Sequence, residues 1–172
     1  MVGKVFVIGV VKKNTIKVLD TKPQLCNTGV NGKGDPLNEK LLERIEQYTT
    51  NLKAISFISS YSWICNDDFN ANKTEEQLLD QAIGVYQLNE HVYKIQEGPK
   101  FLKIVRINDG STNGSAHAFV EKETGKLVKT ASWNSPAKRK NGELQSKYNL
   151  LDDDSFELLL KQSDQYGGHL YV

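Results

Sequence analysis

Four short β-prone segments follow one another between His91 and Ala131: His91–Glu97, Lys100–Ile107, Ser115–Glu121 and Lys126–Ala131. Gly98-Pro99, the loop from Asn108 to Gly114, and Glu123-Thr124-Gly125 separate them. Connections this short cannot carry a crossover helix, so the strands must run antiparallel, as a meander. Upstream, Val5–Val11 and Thr15–Leu19 are rich in β-branched residues and flank Lys12-Lys13-Asn14, which predicts a hairpin. Ile55, Phe57, Tyr61 and Trp63 share one parity, which predicts a strand or two within Ala54–Cys65.

Helical patterns lie around these strands. Asp35-Pro36 suits a helix start, and Leu37, Leu41, Leu42, Ile45 and Tyr48 continue one apolar face to about Thr49. Thr74-Glu75-Glu76-Gln77 matches a capping box ahead of Leu78, Leu79, Ala82, Ile83 and Tyr86. Asp153 to Gln165 forms a third helix, with Asp152-Asp153-Asp154 at its N-terminus read as caps rather than metal ligands. Gly167-Gly168 stops it, and His169–Val172 adds a short closing strand. The class expected is α+β: an antiparallel sheet of hairpins and meander packed with about three helices. The 172 residues make one domain, with 1–88 as an optional front unit and 89–172 as the strand-rich unit.

A chain of this length buries a core without staples. Cys26 and Cys65 lie too far apart for a disulfide framework and are expected as buried thiols in a reducing cytosol. Met1–Val11 lacks the order of a signal peptide, and no apolar run could span a bilayer, so no membrane partner is expected. The formal net charge is +1, so any electrostatic argument must be local.

Few segments carry a chemical signal. The glycine-rich loop Asn27–Asp35 fits neither the P-loop nor the dinucleotide spacing, and Asp35 at the cap would repel an anion; it reads as a connection before a ligand contact. His91, His117 and His169 each fall in an expected strand at wide spacings, so each is a structural or surface histidine by default. No nucleophile elbow, H-E-x-x-H or clustered ligand set occurs, so no catalytic residue, metal or cofactor is assigned.

The one local charge excess runs from Lys122 to Lys147. Lys122, Lys126, Lys129, Lys138, Arg139, Lys140 and Lys147 are opposed by Glu123 and Glu143. Trp133 and Asn134 sit at a strand end before Ser135-Pro136. Two readings stay open. Trp133 is a core residue beside a solvated basic loop, or it is part of an aromatic and cationic surface for phosphates. On the second reading the ligand-binding residues are Trp133, Asn134, Lys129, Lys138, Arg139 and Lys140, with His117 and Arg106 nearby.

The string Ser115-Ala-His-Ala-Phe-Val-x-x-x-Thr124-Gly125, followed by Lys129-x-Ala131-Ser132-Trp133-x-x-Pro136-Ala137-Lys138, resembles a small, largely uncharacterised protein family of tailed bacteriophages. The tail is similar too: Asn149-Leu-Leu-Asp-Asp, then Gly167-Gly168-His-Leu-Tyr171. The resemblance covers roughly Lys100 to Val172. Asn134-Ser135 stand where the family more often has Lys-Ala, and Arg139-Lys140 extend the basic run. It implies a phage origin and the infected host's cytoplasm, and it supplies no catalytic residues. The expectation that follows is a phage protein holding a small phosphate-bearing, nucleotide-like ligand, as a sponge for a host immune signal. The alternative is a nucleic-acid-binding or virion-associated protein; a nucleotide-processing enzyme is third. A homo-oligomer is compatible with each.

Overall fold

The computed structural model describes residues 36–88, 91–108, 114–164 and 166–171. The expected hairpin within Val5–Leu19 and the glycine-rich loop lie outside the described residues. The fold is α+β, as the sequence predicts. Its order is α1 (Pro36–Cys65), α2 (Glu75–Leu88), β1 (His91–Glu97), β2 (Phe101–Asn108), β3 (Ser115–Glu121), β4 (Lys126–Ser132), β5 (Ser135–Pro136), β6 (Ser146–Asn149) and α3 (Asp153–Gln162).

Helix α1 corrects the sequence reading. It does not stop near Thr49 but runs through the segment expected as strands. No Gly or Pro interrupts Leu37–Cys65. The period-2 parity of Ile55, Phe57, Tyr61 and Trp63 is a coincidence of composition; Ile55, Ile58, Ser59, Ser62 and Trp63 instead share one helical face. Its serines are tolerated because they can bond back one turn, as Ser60 Oγ does to the Ser56 carbonyl at 3.0 Å. Helix α1 buries Leu41, Ile45, Tyr48 and Leu52 completely. Each such side chain contributes about 1.5–3 kcal/mol of apolar burial.

Cys65, expected as a buried thiol, is exposed. It is the last residue of α1, next to the buried Ile64. A 3-10 turn at Asp68–Asn70 follows, in which the buried Asn70 donates from Nδ2 to the Ile64 carbonyl at 3.0 Å. That bond satisfies one of the orphan carbonyls at the helix end. The capping box before α2 forms as read. Thr74 N–H donates to Gln77 Oε1 at 3.0 Å, and Gln77 N–H donates to Thr74 Oγ1 at 3.3 Å. Phe57 of α1 meets Tyr86 of α2 edge to face, with centroids 5.5 Å apart.

The six strands form one antiparallel sheet in the order β1-β2-β3-β4-β5, with β6 also pairing β4. One face presents Leu102, Ile104, Ala118, Val120, Leu127 and Tyr148 to a core completed by α1 and by Phe156 and Leu159 of α3. On β3 the pairing steps from Ile104↔Ala118 to Val105↔Ala116, so His117 is an inserted bulge residue. Asp152 caps α3, accepting from Ser155 N–H at 2.7 Å, and Arg44 of α1 pairs with Asp153 at 2.7 Å.

Two expectations near the end of the chain are corrected. Helix α3 stops at Gln162, and His169 lies in a 3-10 turn at Gly168–Leu170 rather than in a closing strand. The Asp164 carboxylate causes this. It accepts the backbone N–H groups of Tyr166, Gly168 and His169 at 2.8, 3.0 and 2.7 Å, which curls the chain and leaves those donors unavailable to a sheet edge.

Two glycines give a paired test. Gly125 has φ +73°, and a Cβ there would lie 2.6 Å from Leu151 Cγ and 2.7 Å from Asn149 Oδ1. Gly84 lies inside α2, where an added Cβ meets nothing within 4 Å. Urea unfolding is expected to show Gly125→Ala destabilised by about 2 kcal/mol or more. Gly84→Ala should be stabilised by about 0.5–1 kcal/mol.

Candidate functional site

The site begins with a tyrosine hydroxyl buried in the core. Tyr48 has no exposed surface, so its O–H needs partners inside the protein. It finds two: His117 Nε2 at 2.9 Å and His169 Nε2 at 2.8 Å. The bulge in β3 makes the first contact. It turns His117 toward the helix-covered face alongside Ala118, where strict alternation would send it to the other side. The 3-10 turn makes the second contact. His169 Nδ1 in turn lies 3.0 Å from Asp164 Oδ2. The result is a continuous chain: Asp164, His169, Tyr48, His117.

Burial sets the charge states of this chain. It pushes His117 down to about 4, with help from the His169 and Arg106 charges. Burial also lowers His169, against the opposing pull of Asp164. Tyr48 is raised well above the ordinary phenol value, first by burial and then by Tyr93 and Asp164. Burial acts against the Asp164 carboxylate. The Gly168 N–H, the His169 ring and the His169 and Tyr166 N–H groups outweigh it and hold the acid well below the usual carboxylate range. At neutral pH the chain is one carboxylate, two neutral imidazoles and a phenol.

His117 is also where this chain reaches the surface. It lines a cavity of about 130 Å³ together with Arg106, Ser115, Lys129, Thr130, Tyr166 and Tyr171. Gly167 forms the wall opposite the ring, and a Cβ there would sit 3.3 Å from His117 Cε1. Its φ of +79° also favours glycine, so the backbone approaches the imidazole as only that residue allows. Tyr166 is 81% exposed, leaving its ring open to solvent. Tyr171 carries Lys129 Nζ over its face, 3.2 Å from the centroid.

Of the residues singled out in the sequence, the fold therefore brings together Arg106, His117 and Lys129. Trp133 and Asn134 form the turn between β4 and β5 and do not line this cavity. The Trp133 ring is 44% exposed, with Lys103 Nζ 4.3 Å above it. Lys138 is bridged to Leu144, and Arg139 and Lys140 lie in the exposed turn closed by Gly142 N–H donating to the Arg139 carbonyl at 2.9 Å. Tyr48, Asp164, Tyr166, His169 and Tyr171 join the site without having been singled out as a group. Only Gly167-Gly168-His169 after a helix hinted at them. Among the described residues no cluster of three His, Cys, Asp or Glu could hold a metal ion, and no helix is long and apolar enough to cross a membrane.

The depressed His117 value carries a sign. Between the ordinary histidine value and about 4, the unfolded chain binds a proton that the folded chain refuses. Stability is therefore full above about pH 6.5 and falls as the pH drops toward 4, by up to about 3 kcal/mol from this group. The His169 shift has the same sign. Chemical denaturation at pH 7, 6, 5 and 4 should show this loss, and His117→Asn should flatten the curve.

No curated protein and no solved structure matches the chain. A family match covers residues 39–172, which takes in most of α1 and all of α2 as well as the strand-rich half. The chain therefore belongs to the Family of unknown function (DUF7717).

Proposed function

We propose that the protein binds a small phosphate-bearing ligand with a flat ring, and that the anion enters the cavity between Arg106 and Lys129. The observation that carries this reading is the lining itself: a guanidinium, an ammonium and the Thr130 and Ser115 side chains beside two tyrosines. Arg offers a planar fork to phosphate oxygens, and Lys adds a point charge. A cavity of about 130 Å³ is too small for a whole nucleotide. It fits the anionic group, while the ring stacks on the open face of Tyr166 at the rim.

The phage-like motif supplies the setting for this reading. A protein that holds such a ligand without turning it over would act in an infected cell's cytoplasm as a sponge for a nucleotide signal. A nucleic-acid contact is the second reading, favoured by the exposed Lys138, Arg139 and Lys140 beside the half-exposed Trp133.

Calorimetry with adenosine monophosphate, cyclic nucleotides and ADP-ribose, beside a short single strand, separates the two. Mononucleotide binding that weakens about tenfold or more in Lys129→Gln and in Arg106→Gln is the expected result. Binding that ignores both variants would remove the cavity from consideration. Preference for the strand, lost in a triple Lys138, Arg139 and Lys140→Gln variant, would install the second reading.

A further inference from the structure

The Asp164–His169–Tyr48–His117 chain fixes what the cavity offers a ligand besides positive charge. Asp164 Oδ2 lies 3.0 Å from His169 Nδ1, and the carboxylate stays ionised because three backbone N–H groups hold it. The backbone N–H of Asp164 also lies 3.1 Å from the same Nδ1. Were that the controlling contact, a bare Nδ1 would face a carboxylate oxygen with lone pair against lone pair. A proton on Nδ1 makes a charge-assisted bond, roughly twice as strong as a neutral one.

The rest follows by counting protons. With Nδ1 protonated, neutral His169 has an acceptor at Nε2, so the Tyr48 O–H donates to it across 2.8 Å. The Tyr48 oxygen then accepts, and the donor 2.9 Å away is His117 Nε2–H. Neutral His117 therefore has its lone pair on Nδ1. That atom has no hydrogen-bond partner among the described residues, and His117 lines the cavity.

We infer that His117 Nδ1 is a fixed hydrogen-bond acceptor at the floor of the cavity, so that the site selects phosphate-bearing ligands with a hydroxyl or N–H donor beside the anionic group. His117 is the specificity-determining residue; Tyr48, His169 and Asp164 are positioning residues that act through it. A bare phosphate, fully ionised, would meet the acceptor with another lone pair. A phosphate next to a sugar hydroxyl would meet the cations with its oxygens and the acceptor with its O–H. The ligand class in this inference rests on the proposed function above; the protonation pattern does not.

The two parts are tested separately. Long-range proton–nitrogen NMR of the ligand-free protein near pH 7 reads the tautomers directly. The expected result is His169 protonated on Nδ1 and His117 on Nε2, with Asp164→Asn disturbing both assignments. His117 protonated on Nδ1 in the native protein would overturn the inference, whatever the cavity binds. The selectivity is read by calorimetry with adenosine 3′-monophosphate and its 2′-deoxy counterpart. Native protein should prefer the hydroxyl-bearing probe by about tenfold, the scale of a lost hydrogen bond at a partly buried acceptor. Tyr48→Phe removes the hydroxyl that fixes the His117 tautomer while keeping both cations, so it should bring the ratio to within about twofold. Equal binding of the two probes by native protein, or a preference that survives Tyr48→Phe, would overturn the selectivity. Failure of both probes to bind would instead count against the proposed function.

Discussion

The Tyr48 hydroxyl is a polar group placed where water cannot reach, and much of the molecule is arranged around satisfying it. Its partners come from β3 and from the 3-10 turn after α3, 69 and 121 residues away in sequence. A phenylalanine would fill the same space with no such demand. The hydroxyl ties a helix, a strand and a turn to one atom, and a shift of any of them would leave a buried donor or acceptor unsatisfied. Apolar packing of Leu41, Ile45 and Leu52 supplies the adhesion of α1 to the sheet, but adhesion has no direction. The hydrogen bonds add direction to that adhesion.

The sheet shows the same division between general and particular causes. Strand alternation and short turns fix the meander, and they would build the same five-strand path with any residue at position 117. The bulge is a local exception that turns one histidine inward at the cost of one ladder position. Opposite it, Gly167 lets the backbone pass close to the ring. An insertion in one strand and a glycine in one turn thus position an imidazole between a buried phenol and an open cavity.

What the sequence disclosed follows the range of the interactions involved. The capping box at Thr74–Gln77, the Asp152 cap and the strands from His91 to Ser132 depend on residues within a few positions of one another, and each was readable. Helix α1 departs from the sequence expectation beyond Thr49 because four aromatic and aliphatic residues fall on positions of one parity; the absence of Gly and Pro is the better signal. His169 was misread as strand because the backbone donors a strand would need are taken by Asp164 five residues earlier. Of the basic run only Lys129 reaches the cavity, beside Arg106 and His117, which the sequence offers as its neighbours, while Lys138, Arg139 and Lys140 sit in a separate bridge and turn. Tyr48 carried no signal at all: a tyrosine on the apolar face of a helix reads as core until its hydroxyl's partners are known.

The segment from Asp164 to Tyr171 has a consequence for how the protein could diversify. His169 and Leu170 are buried, and the partly exposed Asp164 is held by the His169 ring and three backbone N–H groups, whereas Tyr166 and Tyr171 are exposed at the cavity rim. Eight consecutive residues thus contain both the foundation of the site and its adjustable surface. Mutation at the two tyrosines alters the rim, including at Tyr171 the ring that Lys129 covers, without removing a buried side-chain hydrogen bond. Change of the rim and retention of fold are separable at the level of single codons, inside one short stretch of chain.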